Sequence, residues 1–158
     1  MKRAALILAL VFLLSGCRPA QGAMVVRVVD GDTIVVEGGA RVRYIGMDAP
    51  EMQGKACYAD DATAANERLV AGKRVALDKD TSDTDRYGRL LRYVYVDGLF
   101  VNGELVRHGY ARARAYPPDV KRRGELSRLE EEARKMGRGL WTACSPPPKS
   151  RGTPSRAR

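Results

Sequence analysis

Histidine is almost missing from this chain: His108 is the only one in 158 residues, and cysteine occurs three times. A zinc centre built from the usual Cys and His donors is therefore not expected, because such sites draw on about four of them and the chain has no more than that. Long apolar runs are also missing. The longest extends from Ala4 to Leu14, well short of the ~20 residues of an ordinary membrane span. Aromatic residues make up only 6%, yet apolar residues reach 44%, enough for one modest globular core. Acidic residues are missing from both ends. All 19 of them, with 21 of the 28 basic ones, lie between Met24 and Cys144, so the formal charge of +9 shrinks to about +2 in the central stretch. The basic character belongs mostly to the two ends. It is weak support for a broad nucleic-acid-binding surface. No internal repeat is present.

The N-terminus has the composition of a processing segment. Lys2 and Arg3 precede the short apolar run, as in an export signal. Leu14-Ser15-Gly16-Cys17 then resembles a bacterial lipoprotein cleavage box, in which Cys17 becomes the lipidated first residue of the mature chain. The expected organisation is a signal at 1–16, a lipidated tether at 17–23, a domain at 24–144 and a disordered, basic, proline-rich tail at 145–158. The tether from Arg18 to Ala23 spans roughly 20 Å when extended. Arg18 is not the aspartate that marks inner-membrane retention in many lipoproteins, so outer-membrane or cell-surface residence is expected. A plain secreted or periplasmic protein is the alternative. Cys57 and Cys144 remain, and in an exported protein two such cysteines can pair. On loop-closure entropy that bond would be worth roughly 4 kcal/mol.

Within the domain, Met24–Val29, Thr33–Glu37 and Arg41–Ile45 read as three short strands with alternating or β-branched composition. Tyr58–Val70 reads as a helix with Ala62, Ala65 and Leu69 on one face. Lys73–Leu77 and Leu90–Val96 read as further strands, separated by a polar, mobile loop from Asp78 to Gly88. Val101–His108 is expected to be a short helix ended by Gly109. Lys121–Met136 carries the clearest apolar stripe: Leu126, Leu129, Ala133, Met136 and then Leu140. Glu130 with Arg134, and Glu131 with Lys135, form favourable pairs on it. Trp141 is expected to pack against the core or a helix rather than stack on bases. Strands, an inserted helix, strands and a final helix describe an α+β fold, mainly a β barrel with helices. That suits a five-stranded OB-fold barrel with about three helices.

Two acidic turns stand out. Asp30-Gly31-Asp32-Thr33 and Asp48-Ala49-Pro50-Glu51 each follow a strand end, where a rigid sheet can aim side chains. Hard carboxylate oxygens suit a hard cation. Arg43 lies between the turns, and Arg89 follows in Tyr87-Gly88-Arg89; paired guanidiniums suit a phosphate. Either turn alone is an ordinary strand terminator. A third acidic segment, from Asp78, starts like an EF-hand loop. It places Asp83 where glycine is required and Arg89 where glutamate is required, which excludes that motif.

The ordered set comprises Asp30-Gly31-Asp32-Thr33, Arg43 with Asp48-Ala49-Pro50-Glu51, and Asp85-Arg86-Tyr87-Gly88-Arg89. It continues with Val101-Asn102 through Gly109-Tyr110-Ala111 and ends at Gly139-Leu140-Trp141. This set resembles the staphylococcal nuclease (thermonuclease) family from about Met24 to Trp141. The resemblance implies a monomeric, calcium-dependent nuclease on an OB-fold barrel, which hydrolyses DNA and RNA to products ending in 3′-phosphate. It implies that Asp32, Asp48 and the Ala49 backbone carbonyl hold Ca2+, with Asp30 supporting them. Many relatives have threonine where this chain has Ala49. Arg43 and Arg89 would hold the scissile phosphate, and Glu51 would position or deprotonate the attacking water. Tyr87 and Tyr116 are candidates for the nucleotide pocket. The competing reading is a catalytically inactive barrel of the same family that binds nucleic acid or protein at the envelope. Arg43, Glu51 and Arg89, all present, favour the enzyme.

Overall fold

The computed structural model describes residues 22–144. The segment expected to be an export leader, Cys17 with the expected tether up to Gln21, and the basic tail lie outside the described residues. Among the described residues no helix is long and apolar enough to cross a membrane.

Five strands close into a barrel. β1 (Ala23–Asp30) pairs antiparallel with β2 (Thr33–Val36), and β2 with β3 (Arg41–Tyr44). On its other edge β1 meets β5 (Arg74–Asp78), which pairs with β6 (Leu90–Val96). β3 closes the ring against β6 in parallel, with Arg43 opposite Leu91. β1 can serve two neighbours because its register shifts twice, between Val25 and Arg27 and again between Val28 and Asp30. Such bulges bend and twist a strand enough to turn a barrel corner. Three two-residue strands complete the set: β4 (Met47–Asp48), β7 (Leu99–Phe100) and β8 (Arg112–Ala113). β7 extends β6, while β4 and β8 form a separate ribbon.

The barrel interior takes Val25, Ile34, Val42, Val75 and Val94. Helices α1 (Ala59–Val70), α2 (Val101–Arg107) and α3 (Arg123–Lys135) cover it with Ala62, Ala65, Leu105, Leu126 and Leu129. Asn102, fully buried in α2, donates from Nδ2 to the Ile45 carbonyl at 3.0 Å and accepts the Val94 N–H at 2.9 Å. Two backbone groups beside the β3–β6 seam are thereby satisfied. Leaving either unpaired would cost about 1–3 kcal/mol.

The fold is the expected α+β barrel, with three local corrections. A fourth helix, α4 (Leu140–Ala143), follows α3; it is too short to show a period. Met136 does not belong to the apolar stripe. α3 stops at Lys135, and Met136 beyond it is 62% exposed. The polar segment between β5 and β6 is also not the loosely held loop that its composition suggests. Asp119 Oδ1 accepts the N–H groups of Thr81 at 3.0 Å and Ser82 at 2.8 Å. Asp80 Oδ2 accepts the Tyr93 hydroxyl at 3.0 Å and the Lys121 N–H at 2.8 Å.

Gly109, after α2, and Gly139, before α4, meet back to back. The Leu140 N–H donates to the Gly109 carbonyl at 2.9 Å; a Cβ on Gly139 would strike the Gly109 carbonyl, and one on Gly109 would strike the Arg138 carbonyl. Both have positive φ, +71° and +56°, which also favours glycine. A disulfide joins Cys57, just before α1, to Cys144, just after α4, with Cα atoms 5.8 Å apart. It fastens the end of the domain to the loop that carries Glu51.

Candidate active site

The first acidic turn is held from three sides. The Asp32 N–H donates to Asp30 Oδ1 at 3.0 Å, which closes a tight Asx turn. Gly31 passes so close to Ala49 and Ala62 that a Cβ there would come within 2.7 and 2.9 Å of theirs. From α1, buried Asn66 donates through Nδ2 to the Asp30 carbonyl at 2.9 Å and accepts the Tyr44 hydroxyl at 2.9 Å. The Tyr44 phenol is pushed well above its ordinary range, mainly by burial. It is a fixed hydrogen-bond donor and not an acid.

Asp32 is 6% exposed. Its Oδ2 accepts the Ala49 N–H at 2.8 Å and its Oδ1 accepts the Thr33 hydroxyl at 3.2 Å. One carboxylate thus locks the two acidic turns together. Asp48 sits at the end of β4 and is partly open to solvent. Between them lies Arg43: Nη1 contacts Asp32 Oδ2, and Nη2 donates to Asp48 Oδ1 at 2.6 Å. A single guanidinium reaching both carboxylates means that both face one point.

Asp30 lies beside that point. Burial raises its carboxyl above the ordinary 3.8, against the opposing pull of the Thr33 hydroxyl, Arg43, Arg89 and the Thr33 N–H. Arg89 is therefore close enough for its charge to act on the first turn. It is oriented by Asp85: Nε donates to Asp85 Oδ2 at 2.7 Å, and the Arg89 and Tyr87 N–H groups donate to Oδ1 at 3.0 and 2.9 Å. Burial pushes the Asp85 carboxyl up, but these bonds and the Arg89 charge outweigh it and hold the group below 3.8.

Asp30, Asp32, Arg43, Asp48 and Ala49 form one contact network, with Arg89 at its edge. Glu51 follows on the same turn, exposed, and lines a cleft with Asp48 and Ala49. Tyr87 is 68% exposed, and its ring lies against Arg86 at 4.8 Å and Arg89 at 5.6 Å. Tyr116 stands apart, 62% exposed, in a bridge with Asp119. Three positioning residues were not singled out as site residues from sequence: Thr33, Asn66 and Asp85. Asn66 could have been found as a polar residue beside the Ala62/Ala65 stripe, and Asp85 as a carboxylate four residues before Arg89.

Among the described residues, no three His, Cys, Asp or Glu side chains converge as a metal-binding group. Two carboxylates do face one point, and the cationic Arg43 already lies between them. A carboxylate offers about four lone-pair sites, so Asp32 keeps some capacity beyond its two hydrogen bonds and its Arg43 contact. Two aspartates and a backbone carbonyl fit a hard divalent ion that retains water ligands. They do not fit a softer ion, which needs nitrogen or sulfur.

Residues 41–143 match the family of staphylococcal nuclease homologues. Over 125 residues the chain is 33% identical to the thermonuclease of Staphylococcus hyicus, covering 75% of this chain and 74% of that one. Over 129 residues it is 42% identical to an uncharacterized endonuclease of Escherichia coli O157:H7, covering 78% and 79%. Over 125 residues it is 39% identical to Endonuclease YncB of Bacillus subtilis (strain 168), covering 73% of this chain and 59% of that protein. Asp30 and Asp32 precede the matched span, and the contacts to Arg43 and Ala49 tie them to the residues inside it. With this match, and on its closed five-stranded barrel, the chain belongs to the staphylococcal nuclease family.

Proposed function

We propose that this protein is a calcium-dependent nuclease that hydrolyses phosphodiester bonds of DNA and RNA, exported and tethered to the cell envelope through Cys17. The observation that carries the reading is the shared focus of Asp32 and Asp48 on Arg43, with the Arg89 guanidinium held in place by Asp85. Family membership, and relatives named thermonuclease and endonuclease, support it.

Asp32, Asp48 and the Ala49 carbonyl are the residues that would hold Ca2+. When bound, the ion supplies positive charge for the equatorial oxygens of the reacting phosphate. Arg43 and Arg89 bind the same oxygens through forked N–H donors, a geometry that lysine cannot reproduce. Asp85 fixes the Arg89 guanidinium before substrate arrives, so little reorganisation remains for the transition state. Glu51, exposed beside this focus, orients a water and takes its proton. The water oxygen bonds to phosphorus, and the bond to the 5′ oxygen breaks. That oxygen takes a proton from solvent and leaves as a hydroxyl, and a 3′-phosphate end remains. Asp30 shapes the turn through the Asp32 N–H.

The test is DNA cleavage by the purified protein with calcium, with chelator, and with calcium restored. Activity that disappears and returns supports the reading. Folded protein that binds DNA without cutting it in any of the three conditions would favour an inactive binding module. For the tether, Cys17→Ala should release the protein from the membrane fraction; retention there would point to another anchor.

A further inference from the structure

Half of the 16 arginines in the described residues are matched by a carboxylate: Arg43, Arg74, Arg89, Arg92, Arg107, Arg122, Arg134 and Arg138 each have one within ion-pair distance. Arg112, Arg114 and Arg123 are not among them, and all three are exposed. They are also not scattered. Arg112 and Arg114 line a cleft of about 370 Å³ together with Asp48, Glu51 and the disulfide Cys57–Cys144. Arg114 and Arg123 line a second, of about 220 Å³, whose floor includes Gly46. Arg114 is common to both, so three uncompensated cations run outward from the Glu51 turn.

The placement is rigid. β8 pairs antiparallel with β4, Asp48 opposite Arg112, and the Arg114 N–H donates to the Gly46 carbonyl at 2.9 Å. Arg112 and Arg114 are two residues apart on an extended segment whose burial alternates, so they share one face about 6.6 Å apart along the chain. That step is comparable to one nucleotide of an extended single strand. Arg112 also lies against the Trp141 ring at 4.4 Å. This cation–π contact restrains the guanidinium without consuming its N–H donors.

We infer that Arg112, Arg114 and Arg123 form a phosphate track that holds the substrate strand where it leaves the scissile phosphate on the Glu51 side. The occupant is the sugar–phosphate backbone of a single-stranded nucleic acid. It is read by charge and not by sequence, since phosphate contacts position a strand without identifying bases. The inference rests on the nuclease reading for the direction of the strand and leaves the chemistry to Arg43, Arg89 and Glu51. The track makes the enzyme prefer polymer over a short ester: its arginines act on substrate affinity and not on the reacting bond.

The test uses the full chain and a fluorescent, dozen-nucleotide single-stranded DNA, with binding followed by anisotropy in chelator. Arg112→Ala/Arg114→Ala should weaken binding about tenfold or more and lower the slope of log affinity against log salt by about 1. Arg112→Lys/Arg114→Lys should restore most of the affinity, because a point charge suffices for a phosphate. Arg27→Ala/Arg68→Ala, which removes equal charge from exposed positions on β1 and α1, should change little. In calcium, the Ala pair should raise KM on a long strand and leave kcat on a single-phosphodiester substrate near wild type. Equal weakening by the Arg27/Arg68 pair, or undiminished binding by the Arg112/Arg114 pair, overturns the track. Track-dependent binding by a protein that cuts no substrate would leave the track standing and remove the nuclease reading. Cleavage with no dependence of KM on these arginines would do the reverse.

Discussion

Two acidic regions of this molecule have nearly the same composition and do opposite things. At the turns around Asp32 and Asp48, carboxylates converge: both reach the same guanidinium. In the segment from Asp78 to Asp85, carboxylates diverge. Asp78 pairs with Lys121 at 3.3 Å, Asp80 takes the Tyr93 hydroxyl and the Lys121 N–H, Asp83 pairs with Arg92 at 2.7 Å, and Asp85 holds Arg89. The Tyr93 phenol is pushed up to about 12, chiefly by burial, so that hydroxyl is a donor throughout the physiological range. Counting aspartates does not find a cation site. What matters is whether their free lone pairs face one point, and that depends on which backbone groups nearby lack partners.

Substitutions can break this contrast, and the largest effects belong to the convergent region. Arg43→Lys and Glu51→Gln should each lower kcat about a hundred- to a thousand-fold or more, the first by losing forked donation to the transition state and the second by losing the proton acceptor, with thermal unfolding close to wild type. Near-normal turnover in either variant would remove its assigned role.

Next comes the anchoring of the divergent loop. Asp119→Ala leaves the Thr81 and Ser82 N–H groups without an acceptor. It should cost about 1–3 kcal/mol of stability in denaturant titration, while each folded molecule keeps most of its turnover. A variant as stable as wild type would mean that water replaces the carboxylate without loss.

Asp85 stands between the two regions, since it lies in the divergent loop but serves the site. Asp85→Asn should lower kcat about tenfold, because the neutral amide holds the Arg89 fork less firmly. The sign of its pH dependence follows from its depressed carboxyl. The stabilisation is complete above the ordinary 3.8 and is lost as pH falls from 3.8 through the lower folded value. Melting temperature in that acid window should fall more steeply for wild type than for Asp85→Asn; parallel curves would show that the Arg89 contact adds no stability. The smallest effect is expected at Asp83, whose pair with Arg92 is largely exposed on the Asp83 side. Asp83→Asn should change stability by no more than about 1 kcal/mol, and turnover should not change.

The barrel was legible in the sequence because its strands carry their own pattern: β-branched alternation in β1 to β3, and again through β6. What escaped was structure made by contact instead of local preference. β4, β7 and β8 are two residues each and exist only because a partner strand is there. α4 is fixed by the Gly109–Gly139 crossing and by the bond to Cys57. The residues at the convergent point could be named from motifs, whereas the supports leave only a faint signal. Asn66 looks like any polar helix residue until Tyr44 and the Asp30 carbonyl are placed beside it. The Asp78–Asp85 segment misleads for the same reason: its Thr81 N–H donates to Asp119 and its Asp80 accepts the Lys121 N–H, partners more than thirty residues away that composition does not reveal.

The central claim is that the Asp32–Asp48 focus, and not the richer acidic loop, is where calcium binds. Calorimetric titration of the protein with calcium tests it directly, comparing wild type with Asp32→Asn, Asp48→Asn and Asp80→Asn. One site should be present in wild type, lost or severely weakened in the first two variants, and retained in the third. Binding that survives Asp32→Asn and Asp48→Asn but disappears with Asp80→Asn would contradict the account.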